Sequence, residues 1–141
     1  MRLDIRRIET ASTYIDKVFL NTPQYECEGL SRVLGCRLFL KVETLNPIRC
    51  FKGRGTETVL SRLQAQGAAD SVVCASAGNL GQALAYGGRL RNVGVTVTAS
   101  SAANPLKIEK MRTLGANVIL VEGEIETALQ AALDYANETG A

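Results

Sequence analysis

The sequence predicts an α/β fold, a parallel sheet flanked by helices, and three observations carry that expectation. Helical and strand periodicities alternate almost from end to end. The strand-like runs of the second half are short and apolar, and a helical stretch of about ten residues separates each from the next, the length that a parallel crossover needs. The 141-residue chain is 46% hydrophobic and 21% charged, enough apolar side chain to offset the ordering entropy of one domain.

Taken in order, Ile5, Ile8, Ser12 and Ile15 recur at helical spacing and predict a helix over 3–16, with Asp4 near its start. Leu20-Asn21-Thr22-Pro23 ends it. Residues 26–34 read as a short helix closed by Gly35, and Leu38, Leu40 and Val42 alternate with Phe39 and Lys41 as a strand. Beyond the Asn46-Pro47 turn a helix is expected over about 53–66, with Val59, Leu60 and Leu63 on one face. Ser71–Ala75 reads as a buried strand, and Gly78–Leu90 as a helix, although Gly87-Gly88 costs about 1 kcal/mol per glycine. Val93, Val95, Val97 and Ala99 alternate in the clearest strand of the chain. Asn104 is an N-cap followed by Pro105 at the first helical position, and that helix turns Ile108 and Met111 inward and stops at Leu114-Gly115. Val118–Val121 is another apolar strand, and Ile125, Ala128, Leu129, Ala132, Leu133 and Ala136 mark the last helix.

Composition removes whole classes of chemistry. There is no histidine, which excludes Ser-His and Cys-His nucleophile pairs and an imidazole base. Sixteen Lys and Arg against fourteen Asp and Glu are scattered, so neither a nucleic-acid surface nor a membrane is expected as partner. Cys27, Cys36, Cys50 and Cys74 include no C-x-x-C pair, and Met1-Arg2 leads into charge rather than an apolar run. Free thiols, no metal and a cytoplasmic location are the resulting expectations.

Two loops have content that a fold alone does not need. In Asn46–Gly55, Lys52 opens a helix beside Phe51, between Arg49 and Arg54. A helix N-terminus and two neighbouring cations favour the neutral amine, the form that condenses with a carbonyl. The residues alone equally allow a solvated lysine at a helix start. In Ser76–Gln82 a buried strand runs into a helix through small residues, leaving first-turn amides to face an anion, with Ser76 and Asn79 as added donors. A plain capped turn would have the same residues. Together, a nucleophilic lysine and a carboxylate seat suit an amino acid held against a carbonyl cofactor.

Asn46–Gly55 resembles the N-P-x-x-S-F-K-x-R-G signature of pyridoxal-phosphate enzymes of fold type II, and Ser76–Gln82 resembles their S-x-G-N-x-x-Q loop. Thr22-Pro23, Lys41-Val42-Glu43 and Asn104–Val118 follow in the order of that family, so the resemblance covers nearly the whole chain. Threonine and serine dehydratases are the nearest in pattern. The resemblance implies the cofactor pyridoxal 5'-phosphate, with Lys52 as Schiff-base lysine and proton shuttle, Phe51 as its neighbour and Asn79 bonded to the cofactor's ring hydroxyl. It also implies that Ser76, Ala77, Gly78, Asn79 and Gln82 hold the carboxylate of a small amino-acid substrate such as serine or threonine, for α,β-elimination. Cys50 stands where Ser or Thr is usual, and Leu80 where His or an aromatic is frequent.

By the same resemblance, residues 1–69 are the first segment of a large domain and 70–141 most of a small one, while the family's phosphate-binding loop would lie beyond Ala141. A truncated form with little activity alone is therefore expected, with an exposed apolar face that favours a homo-oligomer. The alternative is a non-catalytic interaction module that keeps only the fold.

Overall fold

The structure is a computed structural model that describes residues 3–68 and 70–141. Met1-Arg2, whose charge was weighed above, and Ala69, at the expected domain boundary, lie outside the described residues.

Two separate sheets organise the chain. Helix α1 (Ile5–Ala11) leads through a 3-10 turn (Lys17–Phe19) to β1 (Gln24–Glu26), α2 (Glu28–Leu34) and β2 (Phe39–Lys41). The strands β1 and β2 form a two-stranded antiparallel ribbon with Tyr25 opposite Leu40. Helix α3 (Lys52–Ala65) then leads to the second sheet: β3 (Ser71–Ala75), α4 (Asn79–Arg91), β4 (Gly94–Ser100), α5 (Pro105–Thr113), β5 (Asn117–Val121) and α6 (Ile125–Thr139). That sheet is parallel, in the order β3-β4-β5. Cys74 pairs with Val97, and Val97 with Val118.

Side chains alternate across β4, so helices cover both faces. Val97 is fully buried on the side of α4, where Gly81 lies against it; Thr98, one residue on, donates its hydroxyl to the Ala128 carbonyl of α6 at 2.6 Å. Helices α4 and α5 pack against each other, and α3 packs on α4, so the two halves share one core containing Phe19, Ile48, Leu60, Leu84 and Met111.

Several expectations need correction. The first helix is not 3–16 but ends at Ala11, because Ser12 and Thr13 turn their hydroxyls onto the carbonyls of Glu9 and Thr10. Ile5 and Ile8 are exposed, and Ile15 reaches the core from the turn beyond. Residue 26 belongs to a strand rather than to the short helix, since Gln24–Glu26 pairs with Phe39–Lys41; this ribbon is antiparallel and lies outside the parallel sheet. The inner face of α3 is Gly53, Thr56, Glu57 and Leu60, whereas Val59 is exposed. On α6, Ala128 and Ala132 are buried while Ile125, Leu129 and Leu133 stay about half exposed, because small side chains bring the helix close to the sheet. The glycines of α4 are required by packing. A Cβ at Gly87 would fall 2.6 Å from Glu57 Oε1, and one at Gly88 would collide with Val95.

Candidate active site

The lysine loop is built around the side chain of one buried residue. Asn46 donates its amide to the carbonyls of Glu43 and Cys50, each at 2.9 Å, and its Oδ1 accepts from the backbone of Ile48 (3.2 Å) and Cys50 (3.3 Å). Ile48 and Cys50 are buried beneath it, and the Cys50 sulfur accepts from the Lys52 amide at 3.4 Å, a contact that a hydroxyl at this position would also make. Arg49 is forced to a φ of 53°, a left-handed conformation that costs a non-glycine residue about 1–3 kcal/mol. The loop is over-determined, so it tolerates that strain.

Lys52 emerges from this loop as the first residue of α3. Its side chain is exposed, its ammonium lies 5.2 Å from the centroid of the exposed Phe51 ring, and it pairs with no carboxylate among the described residues. The second residue of the helix is seated by the 3-10 turn: a Cβ at Gly53 would fall 2.5 Å from the Phe19 ring, which is itself held edge-on to Tyr86. Arg54 does not serve as a free cation beside Lys52. Its guanidinium donates to the Phe19 carbonyl at 2.8 Å and the Thr22 hydroxyl at 3.1 Å, and is paired with Glu43 at 2.7 Å. Arg54 and Glu43 thereby tie both ends of the lysine loop to Phe19 and Thr22, the segment that precedes the ribbon.

At the second loop, Ser76 is buried and uses its hydroxyl oxygen as a cap, accepting from Gly78 N at 3.2 Å and Gly81 N at 3.0 Å. Its hydroxyl proton remains available to a ligand. The amides of Ala77, Asn79 and Leu80 have no acceptor among the described residues, which leaves three donors at the positive end of α4. The close approach of α4 to the sheet sets this position, because a Cβ at Gly81 would collide with Met111.

The two loops meet. Asn46–Arg49 on one side and Asn79 and Gln82 on the other line a cleft of about 770 Å³. Of the residues expected at the site, Asn79 and Gln82 face this cleft; Lys52, Phe51, Ser76, Ala77 and Gly78 do not line it. The third wall comes from α5, as Leu106, Lys107 and Lys110. Its only signature in the sequence is a pair of lysines three residues apart, on one face of a helix. None of the four cysteines is bonded, and burial pushes the Cys74 thiol up to about 11, which rules it out as a nucleophile at neutral pH.

The site thus pairs an accessible amine on a braced loop with a helix start whose first amides are open among the described residues. Residues 15–141 match the family of pyridoxal-phosphate-dependent enzymes, and the chain belongs to it. It is 32% identical to the L-threonine ammonia-lyase of Thermotoga maritima over 99% of its own length and 35% of that protein. Maize serine racemase superposes with a TM-score of 0.89 at 26% identity, covering 100% of this chain and 43% of that one. A pyridoxal 5'-phosphate-dependent aspartate racemase superposes with a TM-score of 0.88 at 27% identity, covering 99% and 44%. The fold is that of the type II enzymes, and the chain spans about a third of the length of the curated relatives it matches.

Proposed function

We propose that this chain is the lysine-bearing part of a pyridoxal-phosphate-dependent lyase of the threonine and serine dehydratase type. In this reading residues 1–69 form the first segment of a large domain and 70–141 most of a small one. The observation that carries it is the exposed Lys52 amine, unpaired among the described residues, at the end of a loop whose Asn46–Arg49 segment shares a cleft with Asn79 and Gln82 of α4. These groups fit the cofactor: Lys52 supplies the amine that its aldehyde needs, and Asn79 a donor for its ring hydroxyl. When bound, the cofactor supplies the electron sink.

The chain's own residues do the rest. The amides of Ala77, Asn79 and Leu80, with the Ser76 hydroxyl and the Gln82 amide, bind and orient the substrate carboxylate. Gly78 keeps the approach to these amides clear, and Phe51 limits the directions open to the lysine. Lys52 Nζ removes the proton from the substrate α-carbon, and the β-hydroxyl departs with a proton as water. Hydrolysis then yields a keto acid and ammonia, so water lost is water regained. Serine and threonine are the simplest substrates of this kind.

Incubation with pyridoxal phosphate, borohydride reduction and intact-mass analysis test the reading. One adduct, mapped to Lys52 and absent from Lys52→Ala, is the expected result. No adduct, or one spread over several lysines, overturns it.

A further inference from the structure

We infer that the cleft between the lysine loop and α5 selects an amino acid that carries a second anionic group on its side chain, a carboxylate or a phosphate ester. The inference rests on the reading above, that Asn79 and Gln82 face the substrate, and it adds an anionic side-chain group to the β-leaving group of that reading. L-Aspartate, which has no β-hydroxyl to lose, serves in the test below only as a binding probe. Three cations line the cleft, Arg49, Lys107 and Lys110, and no carboxylate does. None of the three is engaged in an ion pair among the described residues, although the chain as a whole is nearly balanced at +2. Like charges brought together without counter-charges repel one another, and an anion in the cleft relieves that repulsion.

Their placement ties the cations to the carboxylate seat. The Lys107 ammonium stands 3.4 Å from the position of a Cβ on Gly78, so it lies beside the N-cap residue of α4. Arg49 takes its place through a left-handed backbone that the Asn46 side chain enforces from both directions. Lys107 and Lys110 share one face of α5, and the buried Ile108 and Met111 fix the opposite face against the core. Asn79 and Gln82 line the same cleft as the three cations, so a substrate held by them meets Arg49, Lys107 and Lys110, where a neutral hydroxyl gains little and a charged group gains from each.

The test is calorimetric titration of the full chain with O-phospho-L-serine, L-aspartate and L-serine, with and without pyridoxal phosphate. Exposed charge pairs each contribute up to about a five-fold effect, so three cations give the two acidic amino acids an advantage over serine of about tenfold or more at low salt. Raising the ionic strength shrinks that advantage. The variant Arg49→Met/Lys107→Met/Lys110→Met, checked for fold by circular dichroism, binds all three amino acids alike, whereas Lys52→Ala keeps the preference. Equal affinities in the unmodified chain, or a preference that survives in the triple variant, overturn the inference. So does displacement of O-phospho-L-serine by pyridoxal phosphate in the Lys52→Ala chain, which would assign the cations to the cofactor's phosphate. Failure of the Lys52 adduct with the preference intact removes the lyase reading alone; an adduct without the preference removes only this inference.

Discussion

Removing one side chain, Arg91, tests how the helix that carries Lys52 is held to the helix that carries Asn79. Glu57 on α3 is 1% exposed at its side chain and is paired with Arg91 on α4 at 2.7 Å. Its Oε2 also accepts from the Asp16 amide at 3.3 Å, while Oε1 is buried with no partner. Arg91 donates further to the Tyr14 carbonyl at 3.1 Å, so the pair joins α3, α4 and the N-terminal segment. In Arg91→Met the carboxylate loses the one counter-charge it has among the described residues and keeps one weak backbone donor. An uncompensated buried charge costs about 3–5 kcal/mol, a large share of the roughly 5–15 kcal/mol that stabilises a domain. Urea melts of Arg91→Met should show that loss, with a fall in Tm of about 10 °C for a chain of this length. Glu57→Met/Arg91→Met removes both charges and replaces them with apolar volume, so it should recover most of the stability, to within about 2 kcal/mol of the unmodified chain. The reasoning is refuted if Arg91→Met costs under about 1 kcal/mol, or if the double variant is no more stable than the single one.

Two further outcomes follow from the same packing. Gly53→Ala places a Cβ 2.5 Å from the Phe19 ring, which is 1% exposed and backed by Tyr86, and should cost about 1–3 kcal/mol. Gly55→Ala, two residues on, meets nothing within 4 Å and should instead stabilise the helix by up to about 1 kcal/mol; thermal melts that show the same sign for both would contradict this account. Val33, Leu34, Tyr25 and Phe39, on α2 and the ribbon, are all more than half exposed, and Ile5 and Ile8 on α1 are as well. Light scattering on the 15.1 kDa chain should therefore give a mass at least twice the monomer's, and a clean monomer at tens of micromolar would refute the expected self-association.

What was legible in the sequence was what is decided locally. Asn104 caps α5 through its Oδ1 on the Leu106 amide at 2.9 Å, as the Asn-Pro pair predicts, and β3, β4 and β5 coincide with the three apolar runs. Only half of the ribbon was legible: the alternation over 38–42 marks β2, whereas Gln24–Glu26 has no alternation of its own and acquires its strand character only from Phe39–Lys41. The buried face of α3 was legible only at Leu60, for a related reason. Hydrophobic periodicity points to Val59 as well as Leu60, but the partner surface on α4 offers two glycines and an arginine, and these bring Thr56 and Glu57 inward beside Leu60.

The same division runs through the candidate site and explains which residues a motif can reveal. Lys52 and Asn79 stand out because the geometry that presents each is local: a loop pinned by Asn46 in one case, a helix start capped by Ser76 in the other. Such geometry needs particular residues at fixed spacing, and fixed spacing is readable. Lys107 and Lys110 carry no such spacing relative to either loop, since an intervening strand and helix bring them to the cleft. A group that performs the chemical step must be held by its immediate neighbours, whereas a charge that sorts substrates can act across a cleft from any element that reaches it. Motifs therefore point to the reaction, and the choice of substrate rests on residues that only the folded chain brings to the cleft.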